Sequence, residues 1–222
     1  MSSWVLFDVD DVLYNATLLK RMARENAVLA MVEAGLPVDF ETALKTLLSV
    51  VAERGEDYPR HFDETLRALG LRVDPRVVAA GVVAYHDTKR AFLKPLPRVF
   101  QTLMSLREDG YLLALSSPGV PVKEWEKVIR LGLHHFFERA WFGEPDEPRL
   151  RRAARELGIS PESAAYVTAR PEAVDAAKSV GLLVVRIRSG GAASLDSSSK
   201  PDEEVLWAWQ AGEAVRSLLP RR

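Results

Sequence analysis

The second half of the chain alternates between strand-like and helix-like segments, and this alternation restricts the fold more than any other feature. Its apolar runs have the length of buried strands, and a segment of helical periodicity lies between each run and the next. The strand-like runs are 111–116, 140–142, 164–167 and 182–187, and the helical segments are 99–109, 122–131, 150–157 and 172–180. Strands that are apolar throughout and separated by helices are typical of a parallel sheet covered on both faces. With a further run at Trp4–Phe7, the pattern predicts an α/β protein with a Rossmann-like, doubly wound parallel sheet.

Residues 16–91 carry a purely helical pattern. Leu, Val and Ala recur at three- and four-residue spacings, and turn-forming residues interrupt them near 35–37, 57–59 and 74–75. This predicts about four helices inserted after the first strand. We therefore predict a core domain of residues 1–14 and 95–222 and a helical cap domain of residues 15–94. A loop rich in Ser, Gly and Ala is expected at 189–201, followed by a final helix at 203–219.

Composition excludes several classes of protein. The 30 Lys and Arg nearly balance the 31 Asp and Glu, so nothing indicates a broad basic surface for nucleic acid. No apolar run reaches the ~20 residues of a membrane span, and no signal-peptide pattern precedes the first strand. The absence of cysteine excludes disulfides and thiolate chemistry. We expect a cytoplasmic protein, monomeric or homodimeric, without a nucleic-acid or membrane partner, and the dominance of Arg over Lys favours a thermophilic source.

The first strand runs directly into Asp8 and Asp10. Side chains two residues apart on a strand point the same way, so the two carboxylates are placed to act as a nucleophile and its acid/base partner. Ser116 and Ser117 stand at the end of the next strand of the core, and open parallel sheets bind ligands beyond the carboxyl ends of their strands. Two alternatives stay open. Acids at a strand end can cap the following helix, and the serines can form an ordinary turn, with Ser117 as a helix cap.

These segments, in order and spacing, resemble the haloacid dehalogenase superfamily, and specifically the phosphatase-like branch whose helical cap is inserted after the first strand. The resemblance covers nearly the whole chain and rests on residues 7–13, 111–116, 132–137, 153–162 and 173–181. It implies that Asp8 attacks phosphorus, that Asp10 serves as acid and base, and that Ser116 and Ser117 bind the phosphoryl group. It further implies a small phosphorylated metabolite as substrate and Mg²⁺ as cofactor, with Asp8 and Asp10 among its ligands.

The chain departs from this family at the positions that carry positive charge or bind metal. Glu144 stands where the family has a lysine, and Ala169 and Ala173 stand where it has acids. Glu172 and Asp175 are displaced candidates for the metal ligands. Arg149 and Arg170 are candidates for the missing positive charge.

A charge count gives these departures their weight. With Glu144 beside Asp8 and Asp10, three carboxylates would meet without a counter-charge. Each pair at ~4 Å would cost on the order of a few kcal/mol at an effective dielectric near 20. We therefore expect weak or absent magnesium-dependent phosphatase activity, with Mg²⁺ bound if the site is active and otherwise no cofactor. The alternative is a catalytically inactive relative that serves in binding or assembly.

Overall fold

The structure, a computed structural model, describes residues 3–219 of the chain. The expectation that no signal peptide precedes the first strand depends on the first residues, which lie outside this range. The chain divides into two compact units, one formed by Met1–Thr17 with Leu93–Arg222 and the other by Leu18–Phe92. Within residues 3–219, no helix combines the length and apolarity needed to cross a bilayer.

Helices are the only regular secondary structure in the Leu18–Phe92 unit, all of whose residues the structure describes. The unit consists of most of α1 (Ala16–Glu33), followed by α2 (Phe40–Arg54), α3 (His61–Ala68) and α4 (Pro75–Phe92). Four helices agree with the number that the turn-forming residues indicate. Their apolar faces meet in a core of Val28, Met31, Leu36, Ala43, Leu47, Val51, Leu66 and Val77.

The other unit is built on a six-stranded sheet. Its strands are β1 (Trp4–Phe7), β2 (Leu112–Ser117), β3 (Arg139–Phe142), β4 (Ala164–Thr168), β5 (Leu183–Ile187) and β6 (Glu203–Val205), in the order β3-β2-β1-β4-β5-β6. Every neighbouring pair is parallel. The helices of this unit are α5 (Val99–Glu108), α6 (Pro121–Arg130), α7 (Asp146–Leu157), α8 (Pro171–Val180) and α9 (Ala211–Leu218). The predicted Rossmann-like parallel sheet is therefore confirmed.

The expected final helix over 203–219 is wrong in its first half. Glu203–Val205 forms the edge strand β6, which pairs with β5 through Val185 and Glu203, and α9 begins only at Ala211. A three-residue strand with two glutamates carries little local β signal, because glutamate is depleted in strands and the pairing with β5 depends on tertiary context. Charged residues on a short edge strand also protect the sheet from pairing with another chain.

One face of the sheet packs against α7 and α8. Leu6, Ala114, Tyr166 and Val184 lie on adjacent strands of this face and are at most 1% exposed. They share a hydrophobic core with Leu150, Ala153, Ala173, Val174 and Ala177 of the two helices. This packing holds the carboxyl ends of β1, β2 and β4 at fixed spacing, beside the first turns of α7 and α8.

Substitution of Leu113 tests the sheet core. Leu113 pairs with Val5 and is 0% exposed, so Leu113→Ala should lower the free energy of unfolding by about 2–5 kcal/mol through lost burial and a residual cavity. Leu206 is 64% exposed, and the matched Leu206→Ala should change it by less than about 0.5 kcal/mol. Urea unfolding measures both variants. Equal losses would show that β2 does not form the interior of the sheet.

Candidate active site

Three polar side chains meet where β1, β2 and β4 end. Phe7 pairs with Leu115 on one side and Val167 on the other, so the next residue on each strand is Asp8, Ser116 or Thr168. Asp8 is 1% exposed, and Ser116 and Thr168 are 0% exposed. The Thr168 hydroxyl donates to Asp8 Oδ2 over 3.1 Å. The first-strand aspartate therefore lies at the floor of a buried polar site.

The loop after β1 separates the roles of its aspartates. The backbone N–H of Val9 donates to Asp8 Oδ1 over 2.9 Å. Asp11 adopts a left-handed conformation (φ 58°), which aspartate tolerates better than most residues. Its carboxylate accepts hydrogen bonds from the N–H and the hydroxyl of Thr17, at 2.9 and 2.7 Å, in the first turn of α1. The helix-capping acid is thus Asp11, which leaves Asp8 and Asp10 to the site.

Asp10 is held by a tyrosine and a lysine. The Tyr14 hydroxyl donates to Asp10 Oδ1 over 2.7 Å, and Lys127 Nζ donates to the same oxygen over 2.6 Å. Burial raises the pKa of Tyr14, and the nearby Asp10 carboxylate raises it further, so the hydroxyl stays protonated as a donor. Asp10 therefore has a direct cationic partner that the sequence analysis did not identify.

Lys127 also binds Glu124, one turn earlier on α6. Its Nζ lies 2.6 Å from Glu124 Oε1, and Glu124 is 3% exposed. Burial alone would lower the pKa of Lys127, but the charges of Asp10 and Glu124 outweigh it and raise the pKa above its ordinary value. Burial raises the pKa of Glu124, against the opposing effect of Lys127. The three-residue spacing of Glu124 and Lys127 on the helix that follows β2 was the signal that could have indicated this pair.

The two serines that end β2 make different contacts. Arg149, 0% exposed, donates from Nε to Ser116 Oγ over 2.9 Å, so the Ser116 hydroxyl is the acceptor in this bond and its own hydrogen is not used in it. Ser117 forms a side-chain hydrogen bond with Glu124. The residue before α6 is Val120, which makes no side-chain cap. Ser117 therefore does not cap that helix.

Arg170 binds the buried nucleophile candidate. Its Nε donates to Asp8 Oδ2 over 2.9 Å, and Nη1 and Nη2 donate to the two oxygens of Asp146 over 2.9 and 2.6 Å. Arg149 donates to Asp146 as well. Burial alone would raise the pKa of Asp146, but the hydrogen bonds and charges of Arg170 and Arg149 outweigh it and hold that pKa below its ordinary value. Ser116, Arg149, Asp146, Arg170 and Asp8 form one continuous chain of hydrogen bonds.

The expected cluster of three unopposed carboxylates does not form. Glu144 turns away from Asp8 and Asp10, because its Oε1 pairs with Arg152 over 2.5 Å and its side chain is 40% exposed. The premise of the charge count is therefore wrong. The carboxylates of the site and the cations that bind them are nearly equal in number: Asp8, Asp10, Glu124 and Asp146 against Lys127, Arg149 and Arg170.

The donor set does not fit the Mg²⁺ that the family implies. Among residues 3–219, no three His, Cys, Asp or Glu side chains gather as metal ligands. Ala169 and Ala173, at the positions of the family's acids, are buried and offer no oxygen. The Glu172 side chain is 64% exposed and binds Arg170 Nη1, and Asp175 accepts the backbone N–H groups of Ser198 and Ser199. Neither displaced candidate joins Asp8, whose Oδ2 is already engaged by a guanidinium.

The depressed pKa of Asp146 predicts a pH-dependent stability. A lowered folded pKa contributes stability above the unfolded pKa, about 3.9, and that contribution is lost as pH falls through the folded value. Asp146→Asn should therefore be less stable than the natural protein at pH 7, by about 3 kcal/mol because the buried Arg149 and the partly exposed Arg170 lose their shared partner. The difference should shrink below about pH 4.

Urea unfolding of both proteins at neutral and acidic pH measures this difference. Asp87→Asn, at a position whose side chain is 63% exposed, is the matched control and should differ little from the natural protein at either pH. A gap between Asp146→Asn and the natural protein that is constant across the pH range would contradict the assignment.

Comparison with known proteins places the chain in a family. Residues 3–181 match the haloacid dehalogenase-like hydrolase family. A glyceraldehyde 3-phosphate phosphatase of Methanopyrus kandleri is 46% identical over 96% of this chain and 97% of the relative. The enzyme of the same name from Methanocaldococcus jannaschii is 33% identical over 98% of this chain and 99% of its own length.

Solved structures share the fold at low identity. A haloacid dehalogenase-like family hydrolase of Xanthomonas campestris has a TM-score of 0.76 at 17% identity and covers 98% of this chain and 91% of its own. A phosphatase of the same superfamily from Thermococcus onnurineus has a TM-score of 0.68 at 20% identity, covering 97% and 98%. From the match over residues 3–181 and the relative at 46% identity, the chain belongs to the haloacid dehalogenase-like hydrolase family.

Proposed function

We propose that this protein hydrolyses a phosphomonoester of a small metabolite, with glyceraldehyde 3-phosphate as its substrate. The relatives at 46% and 33% identity, both named for that activity, support the choice of substrate. The observation that carries the chemistry is the environment of Asp8. This buried carboxylate receives donors from Val9, Thr168 and Arg170, while Ser116 and Asp10 lie at the same end of the sheet.

In the first step Asp8 is the nucleophile. Its carboxylate oxygen attacks phosphorus, the ester P–O bond breaks, and an aspartyl-phosphate forms. Asp10 enters this step as the protonated carboxyl and passes its proton to the leaving oxygen, which departs as the free alcohol, and Lys127 then stabilises the Asp10 carboxylate that remains. The hydroxyl of Ser116, whose own oxygen is occupied by Arg149, donates to a phosphoryl oxygen.

In the second step Asp10 reverses its role. Its carboxylate takes a proton from a water molecule as that water attacks the aspartyl-phosphate, and inorganic phosphate leaves with Asp8 restored. Tyr14 and Lys127 hold Asp10 in place through both steps. Lys127 and Arg170 have partly exposed side chains, at 18% and 23%, and provide positive charge where the phosphoryl group enters.

A hydrolase fits this site better than a catalytically inactive binding protein. The expectation of weak magnesium-dependent activity rests on a lack of positive charge around Asp8 and Asp10 and on alanines at 169 and 173, where the family has acids. Lys127 binds Asp10 and Arg170 binds Asp8, so each proposed catalytic carboxylate has its own cation. Donors fixed in advance around developing charge are the main source of catalytic power in such sites.

Replacement of Asp8 tests the nucleophile. Asp8→Asn keeps the shape of the side chain but removes the attacking carboxylate, so kcat for glyceraldehyde 3-phosphate should fall by at least about a thousandfold. Release of inorganic phosphate measures the rate. Asp196→Asn, at a position with an 84% exposed side chain, is the matched control and should retain the natural rate. Undiminished turnover by Asp8→Asn would refute the mechanism.

Replacement of Lys127 tests the cation beside Asp10. Lys127→Met removes a charge-assisted contact, so kcat/KM should fall about ten- to a hundredfold. Lys123→Met changes an exposed lysine on the same helix and should leave kcat/KM unchanged. Steady-state kinetics on both variants measures the effect. Equal values for the two variants would remove Lys127 from the proposed site.

A further inference from the structure

The cationic group that contacts Asp8 belongs to the protein itself. Arg170 Nε lies 2.9 Å from Asp8 Oδ2, and Asp8 is 1% exposed. A divalent ion bound at that oxygen would have to displace the guanidinium or accept a like charge within contact distance. Ala169 and Ala173, both buried, stand where the family has acids. They supply no carboxylate oxygens, so a divalent ion at Asp8 would lack the ligands that could favour its binding over that of Arg170.

Arg170 is held in one orientation by the groups around it. Both oxygens of Asp146 accept hydrogen bonds from its two terminal nitrogens, at 2.9 and 2.6 Å. Its backbone N–H donates to the Thr168 hydroxyl over 3.2 Å, and that hydroxyl binds Asp8 in turn. A guanidinium fixed by a bidentate carboxylate loses little entropy when it takes up a further anion.

The same guanidinium can reach a ligand. Its side chain is 23% exposed, whereas Asp8 is 1% exposed. One contact, from Nη1 to the exposed Glu172 over 3.2 Å, is a surface contact that an incoming anion can replace. A guanidinium also carries more N–H groups than its contacts with Asp8 and Asp146 use, and its planar fork suits phosphoryl oxygens.

We infer that Arg170, positioned by Asp146, takes the electrostatic role of the divalent cation at Asp8, so that the site binds phosphoryl oxyanions without metal. The inference rests on the proposed function for the identity of the ligand and goes beyond it in assigning the cation. It makes Arg170 a phosphate-binding residue and Asp146 its positioning residue. It places a cation beside Asp8 in a site where Ala169 and Ala173 offer no oxygen to a metal ion.

Calorimetric titration with inorganic phosphate tests the inference without turnover. In buffer that contains EDTA the natural protein should bind phosphate. In buffer that contains Mg²⁺ and no EDTA the affinity for phosphate should be the same. Arg170→Gln should weaken binding at least about tenfold through loss of a charge-assisted contact. Arg151→Gln, at a position on α7 whose side chain is 62% exposed, is the matched control and should bind as the natural protein does.

A second pair of variants separates lost binding from lost folding. Arg170→Lys keeps a positive charge without the planar fork and should bind phosphate more weakly than the natural protein but more tightly than Arg170→Gln. The double variant Ala169→Asp with Arg170→Ser restores the oxygen and removes the guanidinium. Its midpoint of thermal unfolding should rise on addition of Mg²⁺, whereas that of the natural protein should not change.

The outcomes divide cleanly. Phosphate binding that requires Mg²⁺ in the natural protein, or undiminished metal-free binding by Arg170→Gln, overturns the inference. A protein that hydrolyses no phosphomonoester but binds phosphate through Arg170 without metal would refute the proposed function and uphold the role of Arg170. Turnover of a phosphomonoester that depends on Mg²⁺ would uphold the proposed function and refute the metal-free role of Arg170.

Discussion

The ion pair between Arg170 and Asp8 is the contact on which the rest of the site depends. The burial of a charged carboxylate such as Asp8, 1% exposed, is costly unless a partner compensates for the lost hydration. The guanidinium does so at 2.9 Å, supported by hydrogen bonds from Thr168 and Val9. Removing one member of a buried pair typically costs about 3–5 kcal/mol, so the nucleophile and its cation form one unit.

Residues of α7 connect this ion pair to the end of β2. Asp146, in the first turn of the helix, binds Arg170 and Arg149, and Arg149 binds the hydroxyl of Ser116 at the end of β2. Each polar group is held by the next, so the phosphate-binding serine and the nucleophile keep a fixed relation. The core of α7, α8 and the sheet supports this network, because it fixes the helix ends from which the two arginines project.

The positions of charged side chains in space differ from those that the sequence predicts. Glu144 aligns with the family's lysine and is expected in the site, yet its carboxylate turns outward to Arg152. Lys127, on α6 and far along the chain from Asp10, is not among the expected site residues and binds Asp10. Arg149 and Arg170, the candidates for the missing charge, both lie in the network. Linear spacing ranks such candidates poorly, since an arginine side chain can reach several positions around a strand end.

The order of strands and helices, the helical insertion after β1 and the catalytic candidates at the strand ends could be deduced from the residues alone. Hydrophobic periodicity and turn residues act locally, and parallel strands must end at a common edge. The short edge strand β6, the cap formed by Asp11, the outward turn of Glu144 and the cations on Asp8 and Asp10 emerged only from the folded chain. They depend on pairing and electrostatic contacts between residues distant in sequence or on side-chain rotamers, and neither is encoded in a local pattern.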